Sequence, residues 1–156
     1  MTNTWVARSP KPEVGGPRGW GAAYDLGYSD VLGQTVCEAY YSEKAAIFGS
    51  VCHVVLGFSR ARDCDSKMLI AGRKMTGVSD KQMKELSIEV TPMHPETELR
   101  KAGAIYSKQE RFRDFFATST VVDDEKRFVT GLNQNSSHET AEKIMAILKQ
   151  TTALAN

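Results

Sequence analysis

The sequence predicts an α/β fold with a largely parallel sheet. Three observations predict it. Strand-like and helix-like segments alternate along the chain. The most apolar segment, residues 44–53, runs without polar alternation, as strands covered on both faces do. Capping signals at Ser29, Pro95 and residues 136–139 mark where helices begin.

Taken in order, residues 1–28 are polar and rich in Pro and Gly and read as loop. Only Thr4–Ala7 suits a short strand there, ended by Pro10 and Pro12. Ser29 caps a helix running to about Lys44, with Leu32, Val36 and Tyr40 on one face and Cys37 as a small core-side residue. KAAIFGSVCH, residues 44–53, is the best buried strand, and VVLGFSRA after it starts a helix interrupted by Gly57. Residues 69–78 make a turn and a second strand over Lys74–Val78, while residues 79–93 stay ambiguous. Pro95 opens a helix with Glu96 and Glu98 in its first turn and Gly103 at its end. AIYS is a further strand candidate, and residues 119–131 form a hairpin around Asp123–Lys126. Ser-Ser-His-Glu at 136–139 reads as a capping box for a last helix with Ala141, Ile144, Met145 and Leu148 on its inner stripe.

Length allows one domain over residues 1–156 with a sizeable core. A net charge of +1, spread along the chain, gives no electrostatic case for nucleic acid or an anionic membrane. No run reaches the length of a membrane span, and the N-terminus lacks the apolar core of a signal peptide. The expected location is the cytoplasm, with reduced thiols. Three cysteines, Cys37, Cys52 and Cys64, argue against a disulfide framework there. No metal-ligand spacing is present, so no metal is expected.

Cys52 and His53 fall at the carboxyl end of the buried strand, where ligands sit in parallel sheets. A thiol on a sharp strand-to-helix turn would be favoured as thiolate by the N–H groups of the following helix. The competing reading is inert packing, the usual fate of a free cysteine. His94 reads as a helix cap, His138 as solvent-facing and Cys64 as an exposed loop thiol. Trp20 and Tyr24 wall the cysteine pocket or simply pack, and Arg111 and Arg113 line a surface or meet a carbonyl substrate. Asp123 and Asp124 are turn residues rather than a metal site.

The sequence resembles the DJ-1/PfpI superfamily, and within it the Hsp31-like, glyoxalase III-like branch. GGPRGWGAAYDL (15–26) resembles the family's Gly-Gly-His-Gly segment and the Asp-Leu after it. SVCH (50–53) resembles its nucleophile elbow, A-V-C-H-G. GRKMTGVSD (72–80), ETELRKAGAIYS, and VVDDEKRFVTGLNQNSSHETAEKIMAIL resemble the later strand and loop, the helix ending in L-x-x-x-G-A-x-Y, and the C-terminal segment. The likeness covers about residues 13–149. It implies a flavodoxin-like, class I glutamine amidotransferase-like three-layer sandwich. It also implies Cys52 as nucleophile, His53 as its partner and Asp80 as the acid that orients the histidine, or else a loop residue capping the segment after it. Gly15 and Gly16, with Val54, would form the oxyanion- and substrate-binding corner. No cofactor is implied, and a homodimer is.

Departures from the family pattern are specific. Only fourteen residues precede Gly15, so the family's first strand and the glutamate beside its thiol have no counterpart. That pattern leads us to expect an N-terminally truncated version of the domain, with residues 1–14 outside it, or a site completed by a partner chain. The histidine of Gly-Gly-His-Gly is absent, and Val54 replaces the usual glycine. The first function implied is glutathione-independent conversion of methylglyoxal or glyoxal to lactate or glycolate. The alternatives are a non-enzymatic stress chaperone or redox-responsive protein, and a cysteine amidase or peptidase of PfpI type.

Overall fold

The computed structural model describes residues 20–43, 46–87, 91–107 and 117–154. The chain opens with helices α1 (Trp20–Gly27) and α2 (Asp30–Tyr40), followed by strand β1 (Phe48–Val51) and a 3-10 helix, Cys52–Phe58. Then come β2 (Lys74–Met75), α3 (Asp80–Glu85), α4 (Pro95–Lys101) and β3 (Ile105–Tyr106). The hairpin β4 (Thr120–Val122) and β5 (Phe128–Gly131) leads through a short 3-10 turn, Gln134–Ser136, into α5 (Ser137–Leu154).

The alternation that predicts an α/β class is present. Sheet order is β1-β5-β4, with β1 parallel to β5 and β4 antiparallel to it. β2 and β3 form a separate parallel pair. β1 is shorter and less covered than residues 44–53 promise. Gly49 is exposed, Phe48 and Val51 are half-buried, and only Ser50 is buried. Among the described residues β1 is an edge strand, which explains the lighter cover. Gly49 leaves room for α5, because a Cβ there would stand 2.6 Å from Ile144 Cδ1.

The core gathers Val36, Val55, Phe58, Ile70, Met75, Leu99 and Phe128. Phe48 stacks on Phe128 at 4.9 Å between ring centres, and Phe58 meets Phe128 edge-on at 5.3 Å. Each such aromatic pair adds about 0.5–1.5 kcal/mol beyond the area it buries. One strand from the elbow side and one from the hairpin are thus joined through three rings.

Several local expectations need correction. Residues 20–27 are helix, not loop. Ala23 is fully buried, and a Cβ on Gly27 would collide with Met93 Sδ at 2.3 Å, so this short helix is held by packing rather than by propensity. Residues 1–19 lie outside the described residues. Ser29 does cap α2, accepting from the Leu32 N–H at 3.1 Å, but the helix ends at Tyr40 rather than near Lys44. Cys37 on that helix is half-buried, not a core residue. The second strand stops at Met75, before Val78.

The box at 136–139 does not form. Ser136 accepts from the Ser119 N–H and Glu139 pairs with Lys143 at 2.8 Å, so both side chains have better partners elsewhere. The inner face of α5 is Thr140, Ile144, Ile147 and Leu148, whereas Ala141 and Met145 face outward. The ambiguous stretch 79–93 contains a capping box: Ser79 accepts from the Gln82 N–H, and the Gln82 side chain accepts from the Ser79 N–H.

Candidate active site

β1 delivers the chain to Cys52 in an extended conformation, with Val51 at φ −137°. Cys52 itself has φ 62°, the left-handed region that a residue with a Cβ enters at a cost of about 1–2 kcal/mol. Such strain persists only where the surroundings enforce it, and it collects at active sites. Here the enforcement is visible. The segment Met75–Ser79 is buried throughout and runs beneath the turn. Gly77 makes the close approach possible, since a Cβ there would lie 2.6 Å from Val55 Cγ1 and 3.2 Å from the Cys52 carbonyl oxygen. The same segment is fixed from the far side. Thr76 N–H donates to Thr130 Oγ1 at 2.9 Å, and the Tyr106 hydroxyl donates to the Gly77 carbonyl at 2.7 Å.

Cys52 Sγ lies 3.3 Å from His53 Nδ1, within hydrogen-bond reach for sulfur. With Nδ1 as acceptor, the imidazole proton sits on Nε2. That atom is buried and has no hydrogen-bond partner, and neither has Ser50 Oγ, two residues before the thiol. An unpaired buried polar group costs about 1–3 kcal/mol, so two of them flanking Cys52 single out this turn.

Asp80 is the first residue of α3; the cap itself is Ser79. Its carboxylate turns toward α4. Oδ2 accepts from the Thr97 hydroxyl at 2.9 Å, and Oδ1 lies 3.5 Å from His94 Nδ1. No hydrogen bond joins Asp80 to His53 among the described residues. Glu96, read from sequence only as a first-turn residue, is buried and accepts from the Asp80 N–H at 3.1 Å. Val54 is 40% exposed, just past the thiol. Gly15, Gly16, Arg111 and Arg113 lie outside the described residues. Tyr24 is exposed and meets the Tyr28 ring at a tilt, 5.2 Å between centres, while His138 and Cys64 are exposed.

Burial pushes the Cys52 thiol above its ordinary range, against a smaller lowering by the His53 backbone N–H. That reverses the thiolate expected of a helix start: desolvation outweighs the few N–H groups of a short 3-10 helix. His53 is pushed below its ordinary value, first by burial and then by the charge of His94. The resting pair is therefore a neutral thiol beside a neutral imidazole. Alkylation of Cys52 by iodoacetamide at neutral pH is expected to be slower than that of cysteine in a short peptide. Mass spectrometry of the labelled peptide measures it, and equal or faster labelling would contradict the buried-thiol account.

The sign for stability follows from His53. The unfolded imidazole takes a proton near 6.5 while the folded one resists, so unfolding gains protons and stability falls as pH drops below that value. Urea melts between about pH 7 and about pH 5 should show this slope in the wild type and a flatter one in His53→Gln. Equal slopes would contradict it.

Two concavities among the described residues have volumes of about 180 and 210 Å3. They are lined by residues including Asp30, Arg60 and Met93, and Arg73, Asp123 and Glu125. Neither is lined by Cys52. No group of three or more metal-ligating side chains occurs among the described residues, and none of their helices is long and apolar enough to cross a membrane.

No protein-family profile matches the sequence, and no curated protein matches it. Solved structures do. Glyoxalase III from Candida albicans matches with a TM-score of 0.63 and 27% identity, over 81% of this chain and 52% of that one. Rapid Encystment Protein 24 kDa from Francisella tularensis matches with a TM-score of 0.70 and 24% identity, over 80% of this chain and 52% of that one. A third solved chain, described without an activity, matches with a TM-score of 0.72 and 28% identity over 84% of this chain and 56% of its own. The chain spans about half the length of the solved structures it matches.

Proposed function

From a chain that carries the DJ-1/PfpI fold in its Hsp31-like, glyoxalase III-like form, we propose an enzyme acting on small reactive carbonyls, with methylglyoxal or glyoxal as substrate and no glutathione. The observation that carries the reading is the strained Cys52 at the end of β1, with its sulfur 3.3 Å from His53 Nδ1.

In this mechanism His53 accepts the thiol proton as Sγ bonds to the aldehyde carbon. The neutral imidazole suits that step, because a protonated one could not accept. The product is a hemithioacetal. A base removes the proton from the former aldehyde carbon, giving an enediol, and a proton returns to the neighbouring carbon. That internal redox step leaves a thioester on Cys52. Water cleaves the thioester, releasing lactate from methylglyoxal or glycolate from glyoxal and restoring the thiol. The net reaction adds one water and needs no external oxidant or reductant.

The developing oxyanion needs N–H donors nearby. The backbone of Val54 follows the thiol directly, and Gly15 and Gly16 are the other donors in this proposal. Cytoplasmic location and a homodimer accompany it. The test is methylglyoxal consumption by the purified 156-residue chain without glutathione, with lactate assayed in step. Matched consumption and lactate release support the reading. Consumption without lactate would mean carbonyl scavenging only, and no consumption by a folded chain would reject it.

A further inference from the structure

One side chain of β3 reaches the floor beneath the thiol. Tyr106 is buried, and its backbone is tied to β2: Met75 and Tyr106 are register partners, and the Ser107 N–H donates to the Met75 carbonyl at 2.9 Å. The Arg100 guanidinium lies over its ring, 4.9 Å from the centre. From this fixed ring the hydroxyl donates to the Gly77 carbonyl at 2.7 Å. Gly77 in turn lies against the strained residue, since a Cβ there would stand 3.2 Å from the Cys52 carbonyl oxygen.

We infer that Tyr106 is a positioning residue of the Cys52 site: its hydroxyl, acting through Gly77, holds the floor against the turn and keeps Cys52 in its left-handed conformation with the sulfur facing His53. The inference rests on reading Cys52 as the reactive thiol. A residue with a Cβ stays at φ 62° only where its surroundings enforce it. Relaxing that angle requires the adjoining peptide planes to turn, and the carbonyl on one of them lies against Gly77. A floor tied from its far side resists the turn.

The floor is pinned at two neighbouring residues. The Thr76 N–H donates to Thr130 Oγ1 on β5, and the Gly77 carbonyl accepts from Tyr106 on β3. The second pin sits on the residue that meets the Cys52 carbonyl. Its donor is dependable. A carbonyl can only accept, and burial, followed by the charge of Glu96, pushes the Tyr106 hydroxyl above its ordinary range, so the proton stays on oxygen.

The test is the rate of iodoacetamide labelling at Cys52 in the folded 156-residue chain, read by mass spectrometry in the wild type, Tyr106→Phe and Tyr40→Phe. Tyr106→Phe removes one hydroxyl and keeps the ring. It should speed Cys52 labelling about fivefold, the ratio by which losing one ordinary hydrogen bond shifts an opening equilibrium. Tyr40→Phe deletes a hydroxyl bonded to Glu125 and Arg73 rather than to the floor, and should leave the Cys52 rate at the wild-type value. Placing 4-aminophenylalanine at position 106 restores a donor and should bring the rate back. If Tyr106→Phe fails to fold, 4-fluorophenylalanine at the same position fills the space of the hydroxyl without donating. An unchanged Cys52 rate in a folded variant without the donor would overturn the inference. So would an equal rise in Tyr40→Phe, which would make the effect one of overall stability. The readout needs no turnover, so an inactive wild-type chain would count against the proposed activity alone.

Discussion

Replacing Cys52 with serine is expected to lower kcat/KM for methylglyoxal by about 10^3-fold or more while leaving the fold intact. The substitution exchanges one atom and keeps the 62° turn, its buried floor and the contact with His53. Reactivity changes instead. A serine hydroxyl is a far weaker acid than a thiol, and His53 is a base weakened by burial and by His94. No carboxylate is hydrogen-bonded to His53 among the described residues to compensate. Thermal unfolding within a few degrees of the wild type, with activity lost, is the expected pair of results. Surviving activity would move the nucleophile elsewhere, and half-buried Cys37 and exposed Cys64 are the other two thiols.

Asp123→Ala is expected to reduce the unfolding free energy by about 3–5 kcal/mol, read from urea melts. Asp123 looks like an ordinary turn acid in the sequence, but it is only 2% exposed. Its Oδ1 accepts from the Arg127 and Phe128 N–H groups at 2.7 and 2.8 Å, and its Oδ2 accepts from Arg73 at 2.7 Å. Alanine leaves two backbone donors unpaired and Arg73 without its buried partner. Lys74–Asp124 is the control. Both of its side chains are at least half exposed, and Asp124→Ala should cost no more than about 1 kcal/mol. Equal effects at the two aspartates would contradict the burial argument. The hairpin matters to the site because β5 supports β1 in register, Phe48 to Phe128 through Val51 to Gly131, and β1 ends at Cys52.

Strong local signals carried through to the structure. Ser29 before an apolar stripe, Pro95 with two acids behind it, and Gly103 with φ 82° each act through backbone chemistry that neighbours do not alter. The hairpin is equally local. Failures came where tertiary packing decided. α1 forms because Ala23 and Gly27 meet other elements closely, and no periodic pattern in eight residues announces that. The capping boxes show both errors. Ser136–Glu139 has the pattern but loses its side chains to Ser119 and Lys143, while Ser79–Gln82, S-x-x-Q inside a stretch of conflicting signals, forms the box.

At the site, the Cys52–His53 pair was legible because adjacency in sequence and position at a strand end place both side chains at one turn. The protonation state was not legible, since it depends on burial by residues far along the chain. His94 holds the N-cap position of α4 that the sequence assigns it, without a side-chain capping hydrogen bond. Its partner, Asp80, is fourteen residues earlier, and only the packing of α3 and α4 brings the two together.

The proposed reaction depends on Cys52 being the thiol that takes up a small carbonyl. The most direct measurement exposes the folded chain to methylglyoxal, quenches with iodoacetamide, and maps alkylation at each cysteine by mass spectrometry. Methylglyoxal should protect Cys52 while labelling of Cys37 and Cys64 stays as in the untreated chain. Undiminished labelling of Cys52, or equal protection of all three thiols, would contradict it.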